Sequence, residues 1–333
     1  MKLSFVIPAY NEENYIGDCL DAILRETRGA PYDTEIIVVD NASTDGTAAA
    51  VAKYPEAKLV REPQKGIVKA RRAGYLAATG DLIANVDADT RITPGWVKKV
   101  MDAFAKDPKL VALSGPFIYY DVSWKVRAVT RFFYYFGFSF YLMNRFVFRV
   151  GSMLQGGNFV VRRSGLEAIG GYNAALDFYG EDADIARRMN KVGKVRFTFK
   201  LPAYSSGRRL SKDGSITMGI RYALNYFWMI FFKKPFTMTS TDIRPTSAVL
   251  LSPAAVSLKP ENRTRQVATA VGAVIIFTVM LLVAAYVVYD VAATGTVSTV
   301  KLVDWGLQAR QTFTQVESST ASMLQGNLSN NGQ

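Results

Sequence analysis

Histidine is absent from this 333-residue chain and cysteine occurs once. With no imidazole and a single thiol, the usual zinc ligand sets cannot be assembled. Cys19 has no partner for an intramolecular disulfide, so nothing points to an oxidised, secreted scaffold. No internal repeat is present. The start does not read as a signal peptide, because the apolar run Leu3 to Ile7 is short and acidic residues follow at once. Nucleic-acid signatures (helix-turn-helix, zinc finger, RNA-binding motif) are also missing, so the formal charge of +12 is not read as a duplex-binding surface. Basic residues instead recur beside aromatic clusters, from Arg127 to Arg149 and from Arg221 to Lys234, which favours a membrane surface.

An uncharged run long enough to cross a bilayer occurs once, from Val267 to Tyr289, and would span about 35 Å as a helix. Lys259, Arg263 and Arg265 precede it and Asp290 follows, so the positive-inside rule keeps the N-terminal side cytoplasmic. The expected organisation is a folded domain over 1–236, a Pro- and Ser-containing linker over 237–266, a transmembrane helix over 267–289 and a polar tail over 290–333. The aromatic stretches Phe132 to Phe148 and Ile216 to Phe236 are too polar or too short to span and read as interfacial helices.

The first half alternates strands and helices. Apolar runs at Leu3 to Ile7, Glu35 to Val39, Lys58 to Arg61 and Asp81 to Val86 read as strands. Between them, Ile16, Leu20, Ile23 and Leu24 share one helical face, Thr47 to Lys53 is alanine-rich, and Gly80 is a natural stop for the helix after Gly66. Thr93 and Pro94 predict the N-cap and first turn of a helix containing Trp96, Val100 and Phe104. This alternation implies an α/β, doubly wound sheet with parallel strands.

Acidic signals sit where such a sheet exposes its functional edge: Tyr10-Asn11-Glu12, Asp40, Asp87-Ala88-Asp89 and Gly180-Glu181-Asp182. In an extended segment Asp87 and Asp89 would share a face, and carboxylates suit a hard cation such as Mg2+ or Mn2+ that also engages diphosphate oxygens. By itself an Asp-x-Asp is ordinary turn chemistry; its place after the apolar run Leu82 to Val86 gives it weight. Glu181, Asp182 and Asp184 would equally suit a helix N-terminus through the macrodipole.

In order along the chain, Phe5-Val-Ile-Pro-Ala-Tyr-Asn-Glu-Glu13, Val38-Val-Asp-Asn-Ala-Ser-Thr-Asp-Gly-Thr47, Asp87-Ala-Asp89, Gly170-Gly-Tyr-Asn173 and Gly180-Glu-Asp182 resemble the family 2 glycosyltransferases. The resemblance covers roughly residues 1 to 235 and implies a GT-A fold, a Rossmann-like mixed sheet, with 1–110 as the nucleotide-sugar half and 111–236 as the acceptor half of a catalytic domain over 1–236. It implies that Pro8, Ala9, Tyr10 and Glu12 line the nucleoside pocket, Asp40 contacts the base, Asp87 the ribose or sugar side, and Asp89 the metal. Arg71 falls in the helix that the family places before the metal motif, as a candidate nucleotide contact. Asp182, with Glu181 second, becomes the base that deprotonates an acceptor hydroxyl, and attack inverts the anomeric centre. Two positions depart from the pattern: Arg72 stands where asparagine is common, and Ser205-Ser-Gly-Arg-Arg-Leu210 stands where many relatives carry a metal-binding histidine. Arg208 or Arg209 would then pair with the diphosphate.

The expectation is a membrane-anchored, inverting, metal-dependent transferase with a nucleotide-diphosphate sugar donor, most often a UDP-sugar in the resemblance. Its acceptor is a lipid-linked glycan or glycolipid. A polyprenyl-phosphate sugar synthase and a non-catalytic sugar-nucleotide sensor are the alternatives.

Overall fold

The computed structural model describes residues 1–143, 153–176 and 180–232. The expected linker, the run Val267 to Tyr289 and the polar tail lie outside these residues. Among the described residues, no helix is long and apolar enough to cross a membrane.

The N-terminal half is β1 (Leu3–Ala9), α1 (Ile16–Thr27), β2 (Thr34–Asp40), α2 (Thr47–Val51), β3 (Ala57–Arg61), α3 (Ile67–Ala77) and β4 (Leu82–Val86). Every residue of β1 and β4 is buried. That is why both read as unbroken apolar runs rather than alternating ones. β1 pairs in parallel with β2 on one side and β4 on the other, and β2 pairs in parallel with β3. Chain order therefore reverses at the β1/β4 boundary, and the crevice beyond the carboxyl ends of those strands is the natural ligand position. The loops after Ala9 and Val86 both open there.

Next come β5 (Thr90–Ile92), α4 (Trp96–Lys106), β6 (Leu110–Ser114), β7 (Phe117–Tyr119) and α5 (Trp124–Met143). Then follow β8 (Asn158–Arg162), α6 (Arg163–Ala168), α7 (Glu181–Met189), β9 (Lys194–Phe197), β10 (Ala203–Ser205), α8 (Arg208–Asp213) and α9 (Ser215–Phe232). β8 inserts antiparallel between β4 and β6, and β9 pairs in parallel with β6, so the seven-stranded sheet is mixed, in the order β3-β2-β1-β4-β8-β6-β9. A second sheet, β5-β10-β7, stands apart from it.

Two boundaries differ from the sequence reading. Gly80 does not end a helix: α3 stops at Ala77, while the Gly80 N–H donates to Ser4 Oγ at 2.8 Å, where the chain passes too close to β1 for a side chain. Thr93 does not cap α4 either. Its hydroxyl donates to the Pro202 carbonyl at 2.8 Å, and Gly95, in the left-handed region at φ 75°, precedes the helix. In both places a tertiary hydrogen bond takes the group that local capping would have used.

Helices α5 and α9 pack against each other and onto the core. Tyr141 and Met229 are buried, and Phe138 lies 5.2 Å from Phe199, ring to ring. Their outer faces keep large side chains in solvent, among them Trp124 at 72% exposure, Phe132, Tyr135, Ile216 and Tyr222. The parts of the two aromatic stretches beyond Met143 and Phe232 lie outside the described residues.

Candidate active site

The loop after β1 is shaped by Asn11, which sits in the left-handed region at φ 51°. Its side-chain oxygen accepts from the Thr44 N–H at 2.8 Å, and the Glu12 N–H donates to Thr47 Oγ1 at 2.8 Å. The Tyr10-Asn11-Glu12 loop is thereby tied to the turn after β2. Pro8 and Ala9 are buried at the end of β1, and Asp40 ends β2, where its carboxylate accepts from the Ser43 N–H at 3.1 Å. Tyr10 is half-buried, with the Lys65 ammonium 3.8 Å from its ring centre.

Asp87-Ala88-Asp89 forms a turn closed by the Thr90 N–H on the Asp87 carbonyl at 2.9 Å. The segment is a turn, so the extended geometry expected to put the two carboxylates on one face is not the one it adopts. Each is bound to a different guanidinium. Asp87 Oδ1 accepts from Arg71 at 2.9 Å, and Asp89 Oδ2 accepts from Arg208 at 3.1 Å.

Arg71 is almost wholly enclosed by protein. Its side chain is 2% exposed, it sits over the Phe159 ring, and it ion-pairs with both Asp87 and Glu181. It therefore acts as a strut that ties α3 to the Asp87 turn and to the start of α7. Glu181, buried and paired to Arg71, is likewise committed to that strut. A buried guanidinium between two carboxylates is tolerated because each charge has a partner.

Arg208 makes the second bridge. It donates to Glu12 Oε1 at 2.5 Å as well as to Asp89, and its guanidinium lies 4.4 Å from the Tyr15 ring centre. Sheet register explains its position. β10 runs antiparallel to β5 with Ser205 opposite Thr90, so the chain continuing past Ser205 travels back alongside Asp89. Asp121 then fixes the loop, accepting from the Ser206 hydroxyl and from the Gly207 N–H, each at 2.5 Å. Burial works to lower the Arg208 pKa, but Asp89 and Glu12 outweigh it and raise the value. Arg209 is half-buried beside it in α8.

Asp182 occupies the first turn of α7, where its two oxygens accept from the Gly156 N–H at 3.1 Å and the Ala183 N–H at 2.8 Å. Burial raises its pKa above the usual aspartate value of 3.8, against the lowering effect of those N–H groups and of Arg71. The next residue along the loop, Gly157, adopts φ 79°, and a Cβ there would collide with the Asp87 carboxylate. Adjacent glycines thus touch Asp182 and Asp87 in turn, which brings a carboxylate of raised basicity near the carboxyl end of β4. Tyr15, Asp121 and the role of Gly157 were not anticipated. Tyr15 and Asp121 sit in no motif, and a Gly-Gly pair such as Gly156-Gly157 does not by itself show which side chains it lets approach.

Asp87, Asp89 and Glu12, in the loops after β4 and β1, offer carboxylate oxygens, the donor type that suits a divalent ion. Asp89 and Glu12 converge on one cation, the Arg208 guanidinium, so the place suits positive charge. Among the described residues no three His, Cys, Asp or Glu side chains are arranged to hold an ion unaided, so an ion there would need further oxygens from water or a diphosphate.

A family model described as Glycosyl transferase family 2 matches residues 4–170. A chondroitin synthase of Pasteurella multocida is 32% identical over 115 residues, 33% of this chain and 12% of that protein. A dolichol-phosphate mannosyltransferase of Pyrococcus furiosus is 34% identical over 107 residues, 31% of this chain and 30% of that one. These matches thus cover a third or less of each relative's own length. A mannosyltransferase from Pyrobaculum calidifontis, solved with GDP-Man and Mn2+, shares the fold with a TM-score of 0.54 at 20% identity, over 95% of this chain and 84% of that one. With the sheet order, the strand-end carboxylates and the family match in agreement, the chain belongs to glycosyl transferase family 2.

Proposed function

We propose that this protein transfers a sugar from a nucleotide-diphosphate donor to a hydroxyl of a lipid-linked glycan or glycolipid, with inversion, at the cytoplasmic face of a membrane. The observation that carries the reading is Asp182: a carboxylate made more basic by burial, one glycine away from the residue that packs on Asp87. An acceptor hydroxyl is a weak nucleophile until a positioned base takes its proton. In this reading Asp182 accepts that proton as the hydroxyl oxygen bonds to the anomeric carbon and the bond to the diphosphate breaks. One displacement on the face opposite the leaving group inverts the centre. Pro8, Ala9, Tyr10, Glu12 and Asp40 surround the nucleoside, and Asp87 meets the ribose or sugar.

Mg2+ or Mn2+ would be held by Asp89 with Asp87 and the donor's oxygens, and would neutralise charge developing on the diphosphate. Arg208 stands where it can share that task. Val267 to Tyr289 would anchor the chain, and the solvent-facing aromatics of α5 and α9, flanked by Lys125, Arg127 and Arg131, would rest on the bilayer beside the acceptor.

The similarity to a dolichol-phosphate mannosyltransferase supports a second reading, in which the acceptor is a polyprenyl phosphate. Such an acceptor is already anionic and needs no base. The test is release of nucleoside diphosphate by the purified chain across uridine, guanosine and deoxythymidine diphosphate sugars, with Mn2+ or Mg2+ and membrane lipid extract. Lipid-stimulated release from one donor is expected. Nucleotide binding without release from any donor would favour a sensing role.

A further inference from the structure

Arg208 does more than line the cleft. Its guanidinium holds Glu12 and Asp89 together, stacks on Tyr15, and is presented by a loop that Asp121 grips at two adjacent residues. Its Nε is buried and makes no hydrogen bond among the described residues, so the carboxylates do not satisfy every donor of the fork. The Asp89 carboxylate, a candidate ligand of a divalent ion, already accepts from Arg208 through Oδ2. A guanidinium and a metal ion on one carboxylate repel each other and weaken each other's hold on it.

We infer that Arg208 is an internal counter-cation that competes with a divalent ion for Asp89 and Glu12, and that a donor diphosphate relieves the competition by drawing Arg208 onto its own oxygens. The inference rests on the nucleotide-diphosphate reading above. Guanidinium forks pair with phosphate in two-point fashion, so the anion offers Arg208 a partner to exchange for the carboxylates. The site would then resist free metal and accept it together with nucleotide. Glu12 and Asp89 would stay neutralised at every stage.

Free Mn2+ measured by electron paramagnetic resonance tests this directly, with untagged protein and no sugar donor. Arg208→Ala and, as the gentler change, Arg208→Gln are expected to bind Mn2+ about tenfold more tightly than the wild type, a usual size for coupling between two ligands. Adding Asp89→Asn to either should abolish the gain. Asp121→Ala, which keeps Arg208 but frees its loop, should give a smaller gain in the same direction. UDP or GDP should tighten Mn2+ binding to the wild type more than to the Arg208 variants, after allowance for Mn2+ held by the nucleotide alone.

Equal Mn2+ affinity in the wild type and in all three folded variants, with nucleotide still bound, would overturn the competition while leaving the donor reading intact. If neither UDP nor GDP bound to the wild type with or without Mn2+, the donor reading would fall and the inference with it. Should the Arg208 variants lose cooperative thermal unfolding, the Asp121→Ala comparison and the wild-type nucleotide dependence decide the matter by the same signs.

Discussion

Asp87 and Asp89 are separated by one alanine, yet they answer to different guanidinium groups, one buried and one partly open to solvent. That division gives the two arginines different energetics. Arg71 is 2% exposed, so Arg71→Ala would strand Glu181 without its buried partner and should cost about 3–5 kcal/mol by chemical denaturation. A loss below about 1 kcal/mol, the range of solvent-exposed pairs, would contradict its role as a strut. The carboxylates themselves were legible in the sequence, because each follows an apolar run or a glycine turn. Their partners were not. Arg208 lies 119 residues from Asp89, and only the antiparallel register of Ser205 on Thr90 brings them together. Glu181 was legible as an acid near the chemistry, but its burial against Arg71 depends on side chains from two distant elements.

At the scale of elements, the parallel strands β1 to β4 were readable because both faces are buried and apolar residues run without interruption. The antiparallel insertion of β8 was not, since a run such as Phe159 to Val161 carries no mark of strand direction. One latch between these elements has a measurable pH signature. Glu35, at the start of β2, accepts from the Ser4 hydroxyl at 2.5 Å and from the Thr79 N–H at 2.6 Å. Burial alone would raise its pKa, but these bonds and Lys2 bring it down to about 2 from 4.5. The folded state thus keeps this carboxylate ionised where the unfolded chain protonates it. Its stabilisation is complete above pH 4.5 and is lost as the pH falls through about 2. Glu35→Gln should therefore lower stability at neutral pH by on the order of 2–3 kcal/mol, with the gap to wild type closing in urea melts taken toward that lower limit. A gap of constant size across that range would contradict the account.

For the whole molecule, charge and aromatic placement make a joint prediction. The net charge of +12 and the exposed faces of α5 and α9 should bring the chain truncated before Val267 to anionic vesicles, with binding weakened by salt and by Trp124→Ser together with Phe132→Ser. Indifference to vesicle charge would remove the interfacial part of the proposal. Aromatic density was readable in the sequence, but which rings turn inward was not. Phe138 and Tyr141 close the core, while Trp124 and Phe132 remain outside, because the helix pair packs across only one face. In the proposed transfer Asp182 is the base and the donor is neutralised at Asp89. The most direct measurement is acceptor-dependent nucleoside diphosphate release by the wild type, Asp182→Asn and Asp89→Asn, followed against pH. Loss in both variants is expected, by about 100-fold or more for Asp182→Asn, with a wild-type acidic limb above the usual aspartate value of 3.8. Release that survives Asp182→Asn while Asp89→Asn is inactive would contradict the base assignment and point to an acceptor that arrives already ionised.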